Sequence, residues 1–86
     1  MREFERVLKA LANGRRLAIA RYLKSHGAAP VGDIAQAIKL SFKATSKHLA
    51  ILSAAGIVGH EQRSLLHFYS LANDAPAIAR RIITLL

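Results

Sequence analysis

The stretch Ser41-Phe42-Lys43-Ala44-Thr45-Ser46-Lys47-His48-Leu49-Ala50-Ile51-Leu52-Ser53-Ala54 decides how this chain of 86 residues is read. Ser41 is a good helix N-cap, because a serine hydroxyl can accept a hydrogen bond from a first-turn backbone N–H. Beyond it Thr45, His48, Leu49 and Leu52 recur on one side of a helix, while Lys43, Ser46, Lys47 and Ala50 fall on the other. Gly56 then stops the helix. The outer side carries two lysines one turn apart, and no acidic residue lies anywhere along the stretch.

Upstream, Ile34, Ala35 and Ile38 mark a very short helix over residues 33–38, and Lys39-Leu40-Ser41 is the turn joining it to the helix above. Two short helices joined by a tight turn make a helix-turn-helix pattern. Downstream the pattern changes: Val58, Phe68 and Tyr69 flank the polar centre Glu61-Gln62-Arg63-Ser64, as in a β-hairpin. A hairpin centred on Arg63-Ser64 sets His60 and His67 opposite one another.

Nearer the N-terminus, Phe4, Val7, Leu8 and Leu11 predict a first helix over about residues 3–12. Asn13 caps a second helix, with Leu17, Ala20 and Leu23 on its apolar face and Ile19 and Tyr22 widening it, which His26-Gly27 stops. Ala28-Ala29-Pro30 is long enough only for a short extended segment. Asn73-Asp74-Ala75-Pro76 reads as a cap and an early proline opening a last helix over residues 77–86. The expected fold is mainly α with a small β-hairpin, a winged helix-turn-helix in the order α-α-α-α-β-β-α, forming one domain over residues 1–86.

Composition narrows the partner. Thirteen Lys and Arg against five Asp and Glu give a net charge of +8, a field that attracts polyanions. Residues 1–50 carry ten basic and three acidic groups (+7), whereas 51–86 carry three and two (+1). Double-stranded DNA is the leading partner, because a groove about 12 Å wide admits one helix whose exposed side supplies donors and cations. Zero cysteines exclude disulfides, a thiolate nucleophile and cysteine metal sites. No apolar run approaches the roughly 20 residues of a membrane span, so a cytoplasmic protein with no membrane partner is expected. The acids are scattered and no nucleophile has a base beside it, so the chain is not read as an enzyme.

Leu11-Ala12-Asn13-Gly14-Arg15-Arg16-Leu17-Ala18-Ile19, then Ser46-Lys47-His48-Leu49 with Gly56-Ile57-Val58, then His67-Phe68-Tyr69-Ser70-Leu71, resemble the ArsR/SmtB family of winged-helix transcriptional regulators. The resemblance covers nearly the whole chain. It implies a homodimeric repressor that binds an inverted-repeat operator, with the first and last helices forming the dimer interface and the fourth reading the DNA. Carried over by position, it implies DNA contacts from Ser41, Phe42, Lys43, Ser46, Lys47 and His48, from Arg16 near the second helix and from Arg63 at the wing tip. Phe42 and Lys43 depart from the residue types common in the family. Phe42 either touches a thymine methyl or packs at the helix start, and Arg16 either meets a phosphate or forms a structural ion pair. Lys39 stands where the family often has glycine, so the turn changes shape or Lys39 is left-handed.

The residue types support an interface independently. The last helix has an apolar arc wider than one thin domain can cover, and the expected dimer contacts are Phe4, Val7, Leu8, Leu11, Ile78, Ile82 and Leu85. Metal-sensing relatives need thiolate, imidazole or carboxylate ligands. Pro30 and Gly32 stand where arsenite sensors carry cysteines, and Pro76 follows Asp74 where a histidine is expected, so no metal and no cofactor are expected. His48 is read as packed or bonded to phosphate. The rival to DNA binding is a winged-helix protein-interaction module, since a fold does not by itself fix function.

Overall fold

Short-range caps divide the chain into its elements. The computed structural model describes all of residues 1–86 as α1 (Arg2–Leu11), α2 (Gly14–His26), β1 (Ala29–Pro30), α3 (Val31–Ile38), α4 (Phe42–Ala54), β2 (Val58–Arg63), β3 (Leu66–Leu71) and α5 (Ala77–Thr84). The Asn13 side chain accepts from the Arg16 N–H at 3.1 Å, and Ser41 Oγ accepts from the Ala44 N–H at 3.1 Å. Both N-caps are those the sequence assigns. Gly27 and Gly56 end α2 and α4 with φ of 78° and 74°, a backbone region that glycine enters without the Cβ penalty. Lys39 is left-handed, with φ 58° and ψ 50°, so of the two alternatives at the α3–α4 turn the second holds.

Two boundaries, one cap and one register differ from expectation. α3 starts at Val31, directly after Pro30, whose extended ψ of 156° lets it serve as N-cap. Neither Asn73 nor Asp74 caps α5: residues 72–75 form a turn closed by Ala75 N–H to Ala72 O, and Pro76 is the N-cap. α5 stops at Thr84 rather than 86, where Leu85 and Leu86 close a tighter turn onto Ile82 and Ile83. The hairpin turns at Ser64-Leu65, with Arg63 paired to Leu66, because Ser64 takes the positive φ, 57°, that a tight turn demands. Shifting the turn by one residue shifts each cross-strand partner by two. His60 therefore lies opposite Tyr69, and His67 opposite Gln62, which corrects the expected pairing while keeping both histidines on one face.

The wing has a third strand. β3 lies between β2 and β1, with Ala29 paired to Tyr69 and Pro30 to Phe68, so the short extended segment before α3 ties the hairpin to the helix-turn-helix. The core is continuous: Val7 and Leu11 of α1, Ile19 and Leu23 of α2, Ile34 of α3, Leu49 and Leu52 of α4, and Ala79 and Ile83 of α5 share one cluster with Ile57 and Val58. Every helix thus buries an apolar face in the same body, which fixes α4 against the scaffold.

Candidate nucleic-acid interface

Burial of Thr45, Leu49 and Leu52 sets the rotation of α4 about its axis, since all three are fully buried. Its opposite side is therefore turned to solvent: Phe42, Lys43, Lys47 and Ala50 are exposed and Ser46 is half-buried beside them. Neither lysine enters an ion pair, for the two side-chain ion pairs of the molecule are Lys9–Glu5 and Arg63–Glu61. Phe42 is 62% exposed, so it does not pack into the core at the helix start. Ser41 spends its hydroxyl on capping.

Arg16 and His48 form a joint at the base of this helix. Arg16 Nε donates to Ala10 O at 2.5 Å and its Nη2 to Lys9 O at 3.3 Å, both at the C-terminal end of α1, where carbonyls carry the negative end of the helix dipole. No carboxylate is involved, so of the two alternatives for Arg16 the structural ion pair is not formed. The Arg16 Nη1 lies 3.2 Å from His48 Nδ1. Because a guanidinium only donates, Nδ1 is the acceptor and Nε2 carries the imidazole proton. Burial, then the charges of Arg16 and Arg15, push the His48 pKa below its ordinary value, which keeps the ring neutral. Arg15 donates to Ile38 O at 3.1 Å and so ties α2 to the end of α3. Nothing in the local sequence pattern signals this role, since its partner is 23 residues away.

The wing divides its charges between two faces. Glu61, Arg63 and Phe68 share one: Arg63 Nη2 lies 2.6 Å from Glu61 Oε1, and its guanidinium sits 4.6 Å from the Phe68 ring centre. Such an exposed pair is weak and can exchange for another anion. The other face carries His60, His67 and Tyr69, with the His60 ring 5.7 Å from His67 and 5.2 Å from Tyr69. These three line a cleft of about 650 Å³ together with Phe42 and Ser46 of α4, Asp33 of α3, and Leu65 and Leu66 of the turn. Leu65, 90% exposed, and Asp33 were not singled out from sequence; the hairpin turn brings Leu65 here, and the pairing of β1 with β3 brings the start of α3, with Asp33, beside the wing. A second groove, of about 520 Å³, lies between α1 and the end of α4 and is lined by Arg2, Arg6, Lys9 and Arg16 with Glu5.

The residues expected at a dimer contact divide by burial. Val7 and Leu11 are inside the core of their own chain and are not available to a second one. Phe4 and Leu8 are about half exposed, Leu85 is 85% exposed, and Ile78 and Ile82 are half-buried. α1 and α5 pack against each other. No three His, Cys, Asp or Glu side chains converge in the chain, and no helix is long and apolar enough to cross a membrane.

Comparison with known proteins extends this picture. A helix-turn-helix domain family model matches residues 11–61. The chain is 35% identical over 69 residues to a cadmium resistance transcriptional regulatory protein CadC homolog of Staphylococcus aureus, covering 80% of this chain and 57% of that protein. It is 37% identical over 67 residues to the transcriptional activator HlyU of Vibrio cholerae, covering 78% of this chain and 61% of HlyU. The chain thus spans about three-fifths of the length of these relatives. Among solved structures it is similar to the homodimeric winged helix-turn-helix DNA-binding domain of Mb0332 from Mycobacterium bovis, with a TM-score of 0.83 and 32% identity over 96% of this chain and 73% of that one.

Proposed function

Because this chain belongs to the helix-turn-helix family of the ArsR/SmtB type, we propose that it is a sequence-specific, double-stranded DNA-binding transcriptional regulator acting as a homodimer. One observation carries the reading: α4 buries Thr45, Leu49 and Leu52 and turns an acid-free side bearing Lys43, Ser46 and Lys47 outward. Lysines on that side neutralise phosphates, and Ser46 and the lysine ammonium groups reach base edges in the major groove. His48, neutral and bonded through Nδ1, offers Nε2–H as a further donor. Arg63 reaches phosphate by exchanging its exposed Glu61 partner.

The dimer uses Phe4, Leu8 and Leu85 with the outer edges of Ile78 and Ile82. Twofold symmetry then sets two α4 helices roughly 34 Å apart, on successive major grooves, and requires an inverted-repeat operator. Bound across a promoter, such a dimer represses by exclusion, without chemistry and without a metal effector. Selection of bound duplexes from a random pool tests the proposal: the expected result is an enriched inverted repeat. Recovery of unenriched sequence, or of no DNA at low salt, overturns it and favours a protein-docking role for the same face.

A further inference from the structure

In the cleft between α4 and the wing, His60 and His67 stand 5.7 Å apart, and neither side chain is hydrogen-bonded or ion-paired to the rest of the protein. On the opposite wall are Phe42 and Ser46, the inner edge of the α4 surface proposed to meet bases. Duplex geometry says what passes between these walls. The major and minor grooves, about 12 Å and 6 Å wide, are separated by one sugar–phosphate strand. With α4 in the major groove as proposed above, the wing standing across the cleft from it falls on the far side of the adjacent strand, and that strand runs through the cleft.

Resting on the DNA-binding reading, we infer that the cleft seats a backbone phosphodiester of the duplex and that His60 and His67 are its hydrogen-bond donors, taking up protons as DNA binds. Imidazole is the side chain whose ordinary titration falls between pH 5 and 8, and its cation donates from both nitrogens. Two imidazolium ions at this spacing repel, and an anion held between them removes the repulsion, so protonation and phosphate binding favour each other. The groups facing the pair are few. Asp33 of α3 lines the same cleft and favours the cations but opposes the phosphate; Tyr69 of β3 stacks on His60 and offers a hydroxyl. Glu61 and Arg63 lie on the other face of the hairpin, paired with each other, and Lys43 and Lys47 are on the outer side of α4. The contact is to backbone, so it does not depend on sequence.

The direction follows from linkage: if the protonated pair binds phosphate, affinity rises as pH falls from 8 to 6, by up to about tenfold per pH unit for each proton taken up. The test is fluorescence anisotropy with a labelled duplex of random sequence at low salt across that range, for the wild-type chain, His60→Gln with His67→Gln, and Asp33→Asn. Expected are a wild-type affinity at least about tenfold tighter at pH 6 than at pH 8, loss of most of that gain in the double variant, and tighter binding by Asp33→Asn at pH 8. Circular dichroism verifies that each variant is folded. Binding with a flat wild-type profile, or an acid gain that survives in the double variant, overturns the histidine assignment alone. Absence of binding at every pH overturns the DNA reading and this inference with it.

Discussion

Thr45 offers the sharpest test of the packing that orients α4. It is fully buried, and its Oγ1 has no hydrogen-bond partner. A buried hydroxyl left unpaired costs about 1–3 kcal/mol. Thr45→Val replaces that oxygen with a methyl of nearly the same volume at a position of similar helix propensity. We take the lower end, because the methyl must fit a space shaped for an oxygen, and expect a gain of about 1 kcal/mol. For a domain of this size that is about 4–8 °C in Tm. The companion Thr45→Ser keeps the hydroxyl and removes the methyl, and should cost about 1 kcal/mol through lost apolar burial and the space left behind. Urea and thermal unfolding at matched protein concentration read both, matching being necessary because the proposed dimer would couple stability to concentration. DNA affinity should be unchanged in Thr45→Val, since the side chain faces inward. If Thr45→Val is no more stable than wild type, the Thr45 hydroxyl does not carry the cost of an unpaired buried group and the reasoning is refuted.

Other perturbations address the surface. Lys43→Ala with Lys47→Ala removes up to four phosphate contacts per dimer, so the log–log slope of affinity against salt should flatten by up to about 3.6; an unchanged slope removes these lysines from the interface. Leu8→Glu places a charge on the exposed apolar strip of α1 and should convert the dimer to monomer by sedimentation velocity, whereas Leu11→Glu should instead prevent folding, because Leu11 is in the core. His48 has a native pKa below its ordinary value, so just below that value the unfolded chain binds a proton that the native chain does not. Its contribution to stability is therefore complete above about pH 6.5 and is lost as pH falls through the depressed native value. His48→Gln should make the acid limb of a stability–pH profile shallower between pH 6.5 and 5, and an identical limb excludes the assignment.

The order of elements was legible because its signals are local. Asn13 and Ser41 cap helices with hydrogen bonds spanning three residues, Gly27 and Gly56 end them through their own backbone freedom, and the apolar spacing of α4 alone gives its inward and outward sides. A linear reading contains all of that. It also contains the charge asymmetry and the acid-free face of α4, and hence most of the candidate site.

What it lacked were relations between distant residues. Helical spacing marked Val7 and Leu11 as apolar, as it did Phe4 and Leu8, but only the packing of α2, α4 and α5 around α1 decided which of the four are enclosed. Arg16 met the carbonyls of α1 and the ring of His48 instead of a carboxylate, a choice made by how two helices cross. The hairpin register turned on one residue, Ser64, accepting a positive φ. Burial, register and side-chain partnership each depend on chain segments brought together from far apart, so they were decided by the assembled tertiary structure, whereas caps, turns and periodicity are energies of neighbours and were present in the sequence itself.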